Sequence, residues 1–185
     1  MKFSKFTFAL SAAITALLPV AAVANTATPV STVTFQGEVA SQTCQAKING
    51  KTNSIVLLPT VAAADLNSAG KTAGTTPFTI AISGCASSEK ATKVGTKFLG
   101  YNVTPTGNLS NLATNSPAKN VSIQLTSTTA GDRAVNLNGV TTVEGLTLAS
   151  GKTEASHQFG VQYYAEGVAE SGAITAVAEY TLSYQ

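Results

Sequence analysis

Short runs in which apolar and polar residues alternate recur along the chain, separated by pieces rich in glycine, asparagine, proline and threonine. Alternation of this kind is typical of strands with one buried face. Beyond residue 24 no segment keeps an apolar repeat of 3.6 residues, and the one helical candidate, residues 60–71, is short and ends at a glycine. The predicted strands are 33–40, 53–59, 77–85, 96–104, 120–127, 157–165 and 174–185.

The number and spacing of these strands predict the fold class. Seven or more short strands with turn-rich connections are typical of an antiparallel β-sandwich, and we expect an all-β, immunoglobulin-like domain. Asn138 and Gly139 lie between Leu137 and Val140, where they predict a tight hairpin turn. No linker, repeat or low-complexity stretch divides the chain after its first residues.

The longest regular alternation lies at the C-terminus. Ile174, Ala176, Ala178, Tyr180, Leu182 and Tyr184 form one apolar row, with mostly polar residues between them. Chain ends usually fray. An apolar row that reaches the penultimate residue therefore predicts a final strand held in a sheet.

A second strand near the N-terminus has a gap in its apolar face. Val33, Phe35 and Val39 share one face, but the position between Phe35 and Val39 on that face is Gly37. Glycine weakens a strand unless it marks a bulge or a close approach of another backbone. Residues 32–40 are therefore either an edge strand of the chain's own sheet, or a strand made to lie against a different backbone. The pattern alone leaves both open.

The first residues predict export. Lys2 and Lys5 precede an apolar stretch, residues 6–18, and Ala22-Val23-Ala24 has the small residues of a signal peptidase site. The stretch is shorter than the ~20 residues that a membrane span needs. We expect residues 1–24 to be a signal peptide and the mature chain to begin at Asn25.

Charge restricts the range of partners. Charged residues make up 11% of the chain, and the net charge of +2 falls to zero without Lys2 and Lys5. A nucleic-acid-binding protein would show a basic cluster, and none is present. A surface with so few charges favours association with copies or partners.

The two cysteines, Cys44 and Cys85, are expected to form a disulfide, because an exported chain meets an oxidising compartment. A zinc site is the weaker alternative, since only His157 could join two thiols.

Catalysis is not expected either. A Ser-His-Asp arrangement would need His157 near Asp65 or Asp132, and the carboxylates are scattered. No phosphate-binding loop or metal spacing appears, so we expect no cofactor and no small-molecule substrate.

Several features together resemble a known family. They are "VTFQGEV" at 33–39, the pair Cys44 and Cys85, Gly172 ahead of the last strand, and the ending "YTLSYQ" with its penultimate tyrosine. In this order, behind a signal peptide, they resemble the major structural subunits of type 1-like fimbriae, the pilins of the chaperone–usher route.

The resemblance implies an incomplete immunoglobulin-like fold of six strands with an open groove. A periplasmic chaperone would fill the groove first, and the N-terminal extension of the next subunit would replace it. Residues 25–40 would be this donor-strand extension and 41–185 the pilin domain. The implied donor residues are Ser31, Val33, Phe35, Gly37 and Val39. The implied groove and chaperone-recognition residues are Gly172, Ile174, Ala176, Ala178, Tyr180, Leu182, Tyr184 and Gln185.

The function implied is that of a subunit that polymerises by donor-strand exchange into an adhesive fimbrial shaft. The chain would pass through the periplasm and the outer-membrane usher to a fimbrium on the bacterial surface. With the resemblance, the donor interpretation of Gly37 is preferred. The alternatives are a minor fimbrial subunit or adaptor, or a carbohydrate-binding adhesin module. Family adhesins carry a further receptor-binding domain, and this chain has no Trp to stack on a sugar.

Overall fold

The computed structural model describes residues 37–39 and 44–184, and within them seven β-strands and one short 3-10 helix. The helix spans Ala63–Leu66. The strands, numbered in chain order, are β1 (Gln45–Ile48), β2 (Thr72–Ser83), β3 (Thr92–Tyr101), β4 (Lys119–Thr126), β5 (Thr141–Leu148), β6 (Ala155–Glu170) and β7 (Val177–Tyr184).

The strands form two antiparallel sheets, with the orders β1-β2-β6-β4 and β5-β3-β7. An immunoglobulin sandwich places strands A, B, E and D in one sheet and C, F and G in the other. Here β1, β2, β6 and β4 correspond to A, B, E and D, while β3 and β7 correspond to C and F. β5 pairs with the far side of β3, and no described residue takes the place of G beside β7. The predicted all-β, immunoglobulin-like fold is confirmed, although the described residues form seven strands where the resemblance implies six.

The core lies between the sheets and is built from the residues of each strand that point inward. Phe159 of β6 is completely buried at its centre. Its ring centroid lies 5.5 Å from that of Phe78 on β2 and 5.3 Å from that of Phe98 on β3, so aromatic contacts join both sheets. Each such pair contributes about 0.5–1.5 kcal/mol beyond the area it buries.

The strand predicted at 53–59 is wrong: these residues form no strand and have no ladder partner among the described residues. Val56 and Leu58 pack against the core, whereas Ile55 and Leu57 are 84% and 83% exposed. The segment therefore has the burial pattern of a strand without a neighbour on which to form a ladder. It leaves two large apolar side chains in solvent.

The predicted helix is shorter than its sequence indicates, and the predicted hairpin at Asn138 and Gly139 does not form. The helical candidate at 60–71 forms only the single turn Ala63–Leu66, whose Leu66 is buried against Val121 and Ala165. At the predicted hairpin only Gly139 has a positive φ, of 109°, and only the following side leads into a strand. No helix in the described part of the chain is both long and apolar enough for a membrane span.

Candidate functional site

The free edge of β7 is the most unusual feature of the sandwich. β7 pairs with β3 over its whole length, from Val177 opposite Tyr101 to Tyr184 opposite Val94. Among the described residues no strand pairs with its other side. Successive residues of an antiparallel strand point their backbone groups to opposite sides. The backbone N–H of Tyr184 bonds to a side chain rather than to β3. The backbone N–H groups of Leu182 and Tyr180, two and four residues earlier, point in the same direction and therefore face the free edge.

Five of the six residues of the predicted apolar row pack against the core, two of them just before β7 and three within it. The side chains of Ile174, Ala176, Tyr180, Leu182 and Tyr184 are all partly buried and pack against the main core. They are only partly buried because nothing among the described residues covers the open side of the strand. Ala178, a member of the same row, is exposed.

A cavity of about 380 Å³ opens between this face and the start of β1. The backbone N–H of Cys44 donates a hydrogen bond of 2.7 Å to the Tyr184 hydroxyl, which fixes the two sides of the gap at one end. The cavity thus brings predicted groove residues together with the first cysteine. Its lining residues are Glu38, Cys44, Ala46, Tyr180, Thr181, Leu182 and Tyr184.

A carboxylate that the sequence did not single out lies at this end of the cavity. Glu38 accepts hydrogen bonds from the Tyr184 backbone N–H at 2.6 Å, the Ser183 hydroxyl at 2.7 Å and the Lys97 ammonium at 3.0 Å. The Ser183 hydroxyl, then the Tyr184 N–H, then Lys97 lower the pKa of Glu38 to about 2. Glu38 is therefore charged at neutral pH and in mildly acidic solution.

The predicted donor segment is only partly within the described residues. Ser31, Val33 and Phe35 lie outside them, as does Gln185 at the other end of the chain. Gly37 and Val39 belong to no strand, and Val39 is fully exposed at 102%. The described part of the segment therefore contributes nothing apolar to its own core.

Gly172 has a local reason to be glycine. A Cβ atom at this position would collide with the backbone of Ser116, Pro117 and Ala118. The next residue, Ala173, pairs with Pro117, and its N–H donates to the Ser116 carbonyl at 2.8 Å. The close approach sets the path of the chain into β7, and a role for Gly172 in groove recognition stays a prediction.

The predicted disulfide is present. Cys44 precedes β1, Cys85 follows β2, and the two are bonded with their Cα atoms 4.6 Å apart. Because β1 and β2 are antiparallel neighbours, with Gln45 opposite Ser83, the bond joins the end of this strand pair. It therefore ties the entry of the chain into the domain to the four-stranded sheet. Among residues 37–39 and 44–184 no three metal-binding side chains are grouped as a site.

Replacing Cys44 and Cys85 together by alanine should lower the free energy of unfolding by about 4 kcal/mol, since the bond closes a loop with a sequence separation of 41. Urea denaturation of the oxidised protein and of the double variant measures the difference. A reducing agent should bring the wild-type protein to the stability of the variant and leave the variant unchanged. Equal stability of the oxidised protein and the variant would contradict the prediction.

A polar network on the outer side of the four-stranded sheet was not visible in the sequence. The Glu166 carboxylate of β6 accepts hydrogen bonds from Ser122 at 2.6 Å, Thr106 at 2.7 Å, Thr104 at 3.1 Å and Asn108 at 3.4 Å. Three of these donors lie in the connection between β3 and β4. The carboxylate therefore fastens this connection onto the sheet with neutral donors alone.

The network makes stability depend on pH. Burial raises the pKa of Glu166, but the four hydrogen bonds outweigh it, so the pKa lies below its ordinary value of 4.5. A lowered folded-state pKa means that the carboxylate stabilises the fold fully above pH 4.5 and progressively less as the pH falls through the folded-state value.

Glu166→Gln should therefore destabilise the protein at neutral pH by about 1 kcal/mol, because a neutral acceptor forms weaker hydrogen bonds. The difference from wild type should shrink as the solution is acidified below pH 4.5. Urea denaturation at a series of pH values measures it. Glu170→Gln is the matched control, because Glu170 pairs only with Lys119 at the exposed surface and should have little effect. A difference that grows in acid would rule out this role for Glu166.

Comparison with known proteins agrees with this architecture. Residues 33–185 match the family model of the fimbrial proteins. The chain is 39% identical to the F17 fimbrial protein of Escherichia coli, over 83% of this chain and 86% of that one. It is 33% identical to the minor fimbrial subunit HifD of Haemophilus influenzae, over 82% and 73%. The crystal structure of the P pilus rod subunit PapA shares the fold, with a TM-score of 0.55 at 19% identity, over 76% of this chain and 99% of that one.

The family match spans both sheets, the disulfide and β7 with its open edge. The chain belongs to the fimbrial protein family, and it is a fimbrial subunit with the pilin fold.

Proposed function

We propose that this subunit joins to copies of itself by donor-strand exchange and so builds the shaft of a surface fimbrium. Residues 31–39 of one copy would lie beside β7 of the next. The observation that carries the proposal is the free edge of β7, with its apolar inner face only partly buried and a cavity of about 380 Å³ beside it.

An open edge of this kind favours strand addition. Unpaired backbone groups along a strand bind another strand, and natural proteins usually cover or blunt such edges. Donor-strand complementation in chaperone–pilin complexes is an established form of strand addition, in which backbone hydrogen bonds give affinity and alternate side chains fill pockets. β7 offers both: N–H groups at the edge and gaps beside Tyr180, Leu182 and Tyr184.

The N-terminal segment has the properties of the strand that would fill this place. Ser31, Val33, Phe35, Gly37 and Val39 follow one face, and Val39 is fully exposed in the single chain. Burial of such an exposed apolar side chain in a partner would lower the free energy of the complex. Residues 25–40 would thus serve as a donor extension and 41–185 as the domain that receives one.

Before assembly the same edge would be covered by a periplasmic chaperone. The inner face from Ile174 to Tyr184 would bind its added strand, and the terminal carboxylate of Gln185 would bind basic chaperone residues. Export by the signal peptide at residues 1–24 and passage through an outer-membrane usher complete the route to the cell surface. In this role the chain is a structural protein rather than an enzyme.

Periplasmic expression tests the proposal. The subunit is expressed with and without a fimbrial chaperone, and fractions are run on gels in SDS without heating. Donor-strand exchange predicts a soluble chaperone complex and, without the chaperone, an SDS-resistant ladder of multimers that collapses on heating. A stable monomer that forms neither would overturn the proposal.

A further inference from the structure

Glu38 closes part of the β7 edge in the single chain. Its Oε1 accepts from the N–H of Tyr184, the last described residue of the strand. That N–H points to the open side of β7, where an added strand needs a donor for its ladder. Glu38 therefore occupies one of the backbone groups that the proposed donor strand would use.

The second oxygen of the carboxylate holds Glu38 in place. Oε2 accepts from the Ser183 hydroxyl and from the ammonium of Lys97 on the neighbouring strand β3. Ser183 is 7% exposed although Thr181 on the same face of the strand is exposed, which fits a hydroxyl covered by the carboxylate. Hydrogen bonds to charged groups are among the stronger ones in proteins.

Glu38 is the only charged residue from Asn25 to Thr43. Inward-pointing charges are one of the means by which proteins protect open sheet edges from unwanted pairing. Covering the edge with a loop is another. Glu38 belongs to no strand, and it brings a carboxylate against the edge of β7 from the segment that precedes β1.

We infer that Glu38, held by Lys97 and Ser183, guards the free edge of β7 in the unassembled subunit and must leave Tyr184 before a donor strand pairs along the full edge. The inference rests on the proposed donor-strand function. Glu38 would slow the addition of a strand to a free subunit. In the assembled state the donor strand would form its backbone ladder with β7, and Glu38 would no longer bind Tyr184.

The rate of strand uptake tests this inference. Full-length mature subunit at low concentration is mixed with an excess of a fluorescent synthetic peptide of residues 25–40, whose own glutamate is unchanged, and uptake is followed by fluorescence anisotropy. Glu38→Ala in the subunit should raise the uptake rate about tenfold, because three hydrogen bonds no longer compete. Lys97→Ala should raise it by a smaller factor, and the double variant should equal Glu38→Ala.

Lys93→Ala is the matched control, since Lys93 is exposed on the same strand as Lys97 and none of the Glu38 hydrogen bonds involves it. It should leave the rate unchanged. Uptake by Glu38→Ala at the wild-type rate would overturn the guard. Slower uptake by Lys97→Ala would also overturn it, because Lys97 would then bind the incoming strand. Failure of every variant and of the wild type to take up peptide would count against donor-strand exchange itself.

Discussion

Replacing Gly37 by valine should leave the single subunit as stable as the wild type and should stop fibre growth. A Cβ atom at Gly37 meets nothing within 4 Å in the single chain, so the new side chain would begin in open space. In a donor strand the same side chain would have to fit against the backbone of the neighbouring copy. Overpacking typically costs about 1–3 kcal/mol, and every junction of the fibre would carry that cost.

Gln36→Val is the matched control, because it adds the same side chain to the other face of the predicted donor strand. Thermal melting of the monomer and the yield of SDS-resistant multimers are measured for both variants. Loss of multimers with unchanged melting, for Gly37→Val alone, supports the donor assignment. Normal multimers from Gly37→Val would refute it, and a destabilised monomer would indicate that residues 32–40 belong to the chain's own sheet.

The second large effect is expected at the C-terminal strand. Tyr184→Asp should abolish the chaperone complex, because Tyr184 lines the cavity and packs against the core. Aspartate would place a charge on the apolar face that a chaperone strand must cover, and burial of an unpaired charge is strongly unfavourable. Co-purification of the subunit with a tagged chaperone measures the complex.

Two further proteins separate recognition from folding. Val177→Asp introduces the same charge at an exposed position of β7 that does not line the cavity and should retain the complex. A charged tag after Gln185 leaves every described residue unchanged and should prevent binding, because it displaces the terminal carboxylate. Recovery of the complex with the tagged protein would show that the C-terminus is not what the chaperone binds.

The strands that sequence predicted well are those with an unbroken alternation. β2, β6 and β7 each keep one apolar face against the core, so their period of two is visible without any knowledge of partners. β5 was missed because its register shifts against β3 beside Gly145, and the buried residues Val143 and Leu146 are three positions apart. β1 was missed because four residues are too few to show a period.

Sequence likewise predicts some features of the candidate site and not others. The apolar row of β7 and the cysteine pair could be predicted, since one is a local pattern and the other a consequence of export. The polar contacts could not. Glu38 lies 59 residues from Lys97 and 145 from Ser183. Such contacts depend on how the sheets bring distant strands together, so no local sequence pattern predicts them.

The disulfide has a mechanical consequence for a fibre joined as proposed. Tension would enter each domain through its N-terminal extension, and the chain meets Cys44 before it meets any described strand. The bond to Cys85 carries the load past β1 and β2. Pulling therefore cannot peel β1 from the sheet. The segment between Cys44 and Cys85, with a sequence separation of 41 and a length of about 140 Å if fully extended, does not lengthen under tension. Reduction would return that length to the fibre, so oxidised and reduced fibres should differ in how far a single domain lengthens under force.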